Sequence, residues 1–168
     1  PTMNAPDYPA CVVADHLIGS GGFSSLLVKE VRTRQGLAYS TVSFYQARPA
    51  WGVFGLIVIT EPKELPMAQA AVDTVLDQIR RGLTPEDVAW AKQAVMNSHA
   101  VPYNTPAKII MRSMDQAFYG IPDDFDAAFI AKVAALTPEE VQSAALKLIS
   151  GAWVVVLVNP DDPAPTGG

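Results

Sequence analysis

The feature that most restricts the fold lies at residues 39–60, where the apolar repeat falls to two between stretches whose apolar residues recur at helical spacing. Tyr39 to Gln46 and Trp51 to Thr60 are rich in Val, Ile, Phe, Tyr and Thr, and Ala47-Arg48-Pro49-Ala50 separates them. β-branched and aromatic residues suit a pleated, half-buried surface, so two such runs with a short break between them read as a hairpin.

Upstream, Ala10, Cys11, Val12, Val13, Ala14, Leu17 and Ile18 predict a short buried helix, broken by Gly19-Ser20-Gly21-Gly22. A second helix is expected from Ser24, as its N-cap, to about Arg34. Leu27, Val28 and Val31 form its stripe, and Gly36 sits where a left-handed residue would end it. Downstream, Val72, Val75, Leu76, Ile79 and Leu83 recur at helical spacing and predict a helix over Leu65 to Arg81 that ends at Gly82 and lies on the sheet. Two matching helix starts follow, Leu83-Thr84-Pro85-Glu86-Asp87-Val88 and Leu136-Thr137-Pro138-Glu139-Glu140-Val141. Each has Thr as N-cap, Pro at the first position and acids in the first turn, and the likeness stops at the cap, which marks shared capping chemistry and not a repeat.

The Thr84 helix is expected to run to about His99, with Pro102 as an interruption. Ile110, Met114, Ala117 and Phe118 carry a further helix up to Gly120, and Phe125, Phe129, Val133 and Leu136 another. Ala152 to Val158 is a continuous apolar run of the kind found in a strand buried on both faces. The prediction is one α+β domain over residues 1–160, a small mixed or antiparallel sheet with helices packed on one face, and a disordered tail at 161–168.

With 49% hydrophobic and 17% charged residues, 168 residues suffice for a full core. The net charge of −5 comes with no Lys/Arg block, which argues against a nucleic-acid partner. The longest apolar runs fall far short of the roughly 20 residues that span a bilayer, so no membrane insertion is expected and the chain reads as soluble, suited to either the periplasm or the cytoplasm if bacterial. Cys11, the single cysteine, has no partner for an internal disulfide, and the start at Pro1 without a signal-like segment reads as a processed chain or an excised fragment.

A zinc enzyme needs three converging ligands, and helical His-x-x-Glu-His or His-Glu-x-x-His spacing supplies two of them. Neither spacing occurs here; His16 and His99 stand far apart, and each reads as a packed or surface histidine. Cys11 reads as a small buried hydrophobe. The turn Gly19-Ser20-Gly21-Gly22-Phe23-Ser24-Ser25 has no Gly-Lys-Ser/Thr ending and reads as a tight connection between helices, not a phosphate loop. Asp73 and Asp77 with Arg80 and Arg81 have the spacing of a solvated helix face, and Asp123, Asp124 and Asp126 charge a helix start.

One constellation remains. Arg32 falls in the last turn of a helix, Gly36 reverses the chain, and Tyr39 opens a strand, which can set helix end and strand start side by side. A guanidinium and a phenol held in this way offer several donors to one oxygen, as a peptide carbonyl or a tetrahedral oxyanion requires. Equally, cations favour helix C-termini, and a strand tyrosine often only packs with a wet tip.

That stretch resembles the C-terminal half of the pitrilysin/insulinase (inverzincin) zinc peptidases, a group that includes mitochondrial processing peptidase subunits. The resemblance is carried by Leu17 to Leu27, Glu30-Val31-Arg32, Gly36-Leu37-Ala38-Tyr39-Ser40, Gly82 to Val88 with Ala91-Lys92, the Leu136 to Val141 start and the closing Val154 to Val158 run. It implies a chain with no catalytic or metal-binding residue of its own, whose partner, a homologous catalytic half on the same polypeptide or a separate subunit, holds zinc through His-x-x-Glu-His. It also implies that Arg32 and Tyr39, seven residues apart, bind the backbone of a peptide substrate. A homo- or heterodimer is expected. Two departures stand out: Leu26 occupies a position where the family often has arginine, and the chain begins without the strand or strands that usually precede its first helix. An alternative with the same fold is a core-like assembly subunit without proteolysis; an unrelated small-ligand-binding α+β domain would require the Arg32 and Tyr39 spacing to be coincidence.

Overall fold

The computed structural model of the 168-residue chain describes residues 1–100 and 105–158. Its order is α1 (Tyr8–Asp15), a π-helical continuation (His16–Ser20), a 3-10 turn (Gly22–Ser24), a second π-helical segment (Val28–Arg34), β1 (Ser40–Ala47), β2 (Gly52–Ile59), a second 3-10 turn (Pro62–Glu64), α2 (Leu65–Arg81), α3 (Pro85–Ala100), α4 (Pro106–Tyr119), α5 (Phe125–Ala135) and α6 (Pro138–Ile149). Pro102 and the tail at 161–168 lie outside the described residues.

β1 and β2 pair antiparallel from Ser40↔Ile59 to Ala47↔Gly52, as the period-two pattern predicts. Alternation sorts the hairpin into two faces. Phe54, Leu56, Val58 and Tyr45 pack against the core, while Val53, Ile57 and Ile59 are exposed, so the helices cover one face of the sheet. The inner face of β1 also carries the buried Thr41 and Ser43, and Ser43 Oγ donates to Asp15 Oδ1 at 2.6 Å.

The core joins α1 (Val13), its continuation (Leu17, Ile18), Leu27 and Val31, α2 (Val75, Ile79), α3 (Val88, Val95), α5 (Phe129, Val133) and α6 (Val141, Ala145). Each fully buried branched side chain of this set contributes roughly 1.5–3 kcal/mol. α2 has its closest backbone neighbours in Val28–Arg34 and α6, and meets the hairpin through this common core. Leu26, at the position where the family resemblance leads one to expect arginine, is buried in the same core.

Two expectations need correction. The Ala152 to Val158 run forms no strand and is uncovered, with Val154 89% and Val158 91% exposed. β-branching favours extended backbone, but a strand buried on both faces needs neighbours at both edges, and among the described residues β1 pairs only with β2; Trp153 merely sets its ring edge-on to Phe54. The second helix begins after Ser25, not Ser24: Ser25 has extended backbone, and its carbonyl accepts from Lys29 N–H at 3.0 Å. α4 forms as predicted and ends at Gly120, though the stripe that predicts it faces outward. Ile110, Met114 and Phe118 are exposed, while Arg112 pairs with Asp126 at 3.0 Å on the inner side and Arg48 lies over Tyr119.

Candidate functional site

Arg32 and Tyr39 flank a chain reversal that is tightly tied. Gly36 takes φ +67°, a conformation that an L side chain strains to adopt. Around it, Gln35 N–H donates to Glu30 O, Gly36 N–H to Arg32 O and Leu37 N–H to Val31 O, which binds the outgoing chain to the turn that carries Arg32. Next, Leu37 and Ala38 are buried, Thr60 Oγ1 donates to Leu37 O at 2.6 Å, and Tyr39 N–H donates to Ile59 O at 2.9 Å. Backbone and neighbours are therefore fixed while both side chains are free: Arg32 is exposed and Tyr39 is 83% exposed.

Folding gains little from these two side chains, since an exposed phenol and an exposed guanidinium bury almost no area. Among the described residues no hydrogen bond joins them; the Arg32 guanidinium carbon instead lies 5.1 Å from the centre of the Phe23 ring. Glu30, the acid nearest in sequence, is engaged elsewhere, accepting from Arg34 at 3.1 Å and from Gln35 at 2.6 Å. The cation is thus left with its N–H donors available. Beside Tyr39 a shallow hollow of about 320 Å³ is lined by residues 36–39 and 59–61 with Glu64. The arrangement can donate hydrogen bonds to carbonyl oxygens of an extended chain passing over it.

The glycine-rich segment forms the tight turn that its composition predicts. A Cβ on Gly19 would stand 2.4 Å from Ser43 N, so only glycine lets the helix end approach β1 this closely. Ser25 Oγ donates back to Gly22 O at 2.7 Å and closes the turn. The sequence reading gave Phe23 no role, because an aromatic after two glycines reads alike whether it faces core or solvent; here it projects outward, 73% exposed, under Arg32.

The other candidates are structural. His16 packs on Trp90 with ring centres 5.3 Å apart and His99 on Phe129 at 4.5 Å, and burial lowers both pKa values. Burial pushes the Cys11 thiol up to about 11, which leaves it an inert hydrophobe at neutral pH. Asp77 pairs with Arg80 at 2.6 Å on an exposed helix face. Among the described residues no three of His, Cys, Asp and Glu gather closely enough to hold a metal ion, and no helix is long and apolar enough to cross a membrane.

Comparison with known proteins bears on the family and the fold. Residues 1–95 match the family model described as the peptidase M16 inactive domain. An uncharacterized zinc protease of Streptomyces coelicolor is 25% identical over 142 residues, covering 83% of this chain and 31% of that protein. The uncharacterized zinc protease YmxG of Bacillus subtilis is 23% identical over 157 residues, covering 92% and 38%. The chain therefore spans about a third of the length of these curated relatives. The crystal structure of a peptidase M16 inactive domain from Pseudomonas fluorescens superposes with a TM-score of 0.77 at 26% identity, over 89% of this chain and 36% of that one.

Proposed function

Because the chain belongs to the peptidase M16 inactive-domain family, we propose that it is the substrate-binding, non-catalytic half of a zinc metalloendopeptidase, gripping a peptide backbone through Arg32 and Tyr39. The observation that carries this reading is the contrast at the reversal: Val31, Leu37 and Ala38 are buried and the backbone is pinned, yet Arg32 and Tyr39 project into solvent. A fold that pins the backbone beneath two donors and gains so little from them suits a ligand outside itself.

The partner is a homologous half, on the same polypeptide or in a separate subunit of a homo- or heterodimer, and residues 1–160 of this chain act as one unit against it. That half holds the zinc, which when bound supplies Lewis-acid chemistry. The residues of this chain bind and orient. Arg32 donates its planar fork of N–H groups to a substrate carbonyl, holding the peptide in register. Tyr39 donates its hydroxyl to the carbonyl oxygen under attack and keeps that bond as the oxygen gains negative charge, so it strengthens in the transition state.

The test is steady-state peptide hydrolysis by the complete two-half enzyme carrying Tyr39→Phe or Arg32→Ala. Tyr39→Phe should lower kcat about 10²-fold, the cost of one lost oxyanion donor. Arg32→Ala should act mainly through KM, and zinc content should stay at the wild-type level in both. Unchanged kinetics in both variants would sink the assignment.

A further inference from the structure

Resting on the reading that Arg32 grips substrate, we propose that Phe23 is its positioning residue: the ring, raised on the glycine turn, is a platform that holds the guanidinium ready without using its hydrogen-bond donors. The turn is rigid, with Gly22 at φ +67° and Ser25 donating to the Gly22 carbonyl through both its hydroxyl and its N–H. Ser25, Leu26 and Leu27 just after it are buried, whereas Phe23, like Ser24 beside it, faces solvent at 73% exposure and adds little to the core.

An exposed arginine has four freely rotating side-chain bonds, and something must restrain it if it is to meet a carbonyl at low entropic cost. A carboxylate would do so by occupying the N–H edge that substrate needs. An aromatic face attracts the cation while leaving the N–H groups at its rim available. The structure presents that choice directly: the Glu30 carboxylate is taken by Arg34 and Gln35, and the Arg32 guanidinium lies over Phe23 at 5.1 Å.

A double-mutant cycle in the complete two-half enzyme tests this, with Phe23→Leu, Arg32→Ala and the pair measured for kcat/KM, and Phe23→Tyr as the conservative variant. Phe23→Leu should lower kcat/KM about two- to fivefold, the value of an exposed cation–π contact. Phe23→Tyr should retain wild-type activity, and Phe23→Leu should have no further effect once Arg32 is alanine. As a readout independent of turnover, the Arg32 Nε–H proton of the 168-residue chain should carry an upfield ring-current shift that Phe23→Leu removes, at unchanged Tm. Additive losses, a Leu variant as active as the Tyr variant, or an unshifted Nε–H resonance would overturn the proposal. An Arg32→Ala enzyme with wild-type kinetics would defeat the substrate-gripping reading itself, and this inference with it.

Discussion

Asp15 shows how much a single residue can be asked to tolerate. It is buried, and it receives the Ser43 hydroxyl at 2.6 Å. Burial nevertheless raises its pKa above the ordinary 3.8, outweighing the hydrogen bonds from Ser43, Ser20 and the Tyr45 backbone that act the other way. The sign follows from proton counting. Between 3.8 and the raised folded value the folded state holds more protons than the unfolded chain, so stability falls as pH rises through that window. Asp15→Asn should therefore melt at a higher denaturant concentration than wild type at neutral pH. The gap should close below pH 3.8, where the carboxyl is protonated in both states. A variant less stable than wild type at neutral pH would mean that the polar contacts outweigh burial. Neither the pairing with Ser43 nor the platform under Arg32 was legible beforehand. The Arg32 and Tyr39 spacing was, because a glycine-marked reversal joins them within eight residues; Asp15 and Ser43 lie 28 apart and meet only in three dimensions.

Elements were read well where local chemistry decides them. Thr137 and Glu140 form a complete capping box: Thr137 Oγ1 accepts from Glu140 N–H at 3.3 Å, and the Glu140 carboxylate accepts from Thr137 N–H at 2.8 Å. Thr137→Ala should cost about 1 kcal/mol in a denaturant melt; a loss near zero would mean that packing of Val141, Ala144 and Ala145 alone holds the α6 start. The hairpin, too, followed from its alternation, for a pleated strand half in contact with a core leaves a period-two signature. Periodicity states that a segment is apolar without stating what covers it. The stripe of α4 and the run at 152–158 carry the patterns of a packed helix and a core strand, yet both face solvent among the described residues. The brace between α2, α3 and α6 was also invisible in one dimension: Gln142 accepts from Leu83 N–H at 2.7 Å and donates to Ile79 O at 2.8 Å, tying a helix end, a helix start and a third helix through one amide.

For the whole molecule, the fold divides labour between a core that fixes a backbone and a rim that offers donors. α1 and its continuation, Val28–Arg34, α2 and α6 share the core that buries Val31, Leu37 and Ala38, and so set the positions from which Arg32, Tyr39 and Phe23 project. The proposed role has one consequence: binding chemistry belongs to this chain and metal chemistry to its partner. Peptide hydrolysis in the presence of zinc should settle it, assayed for the purified 168-residue chain, for the half bearing His-x-x-Glu-His, and for the two together. The account predicts chelator-sensitive turnover in the combined sample and none from this chain alone; chelator-sensitive hydrolysis by the isolated chain would contradict it.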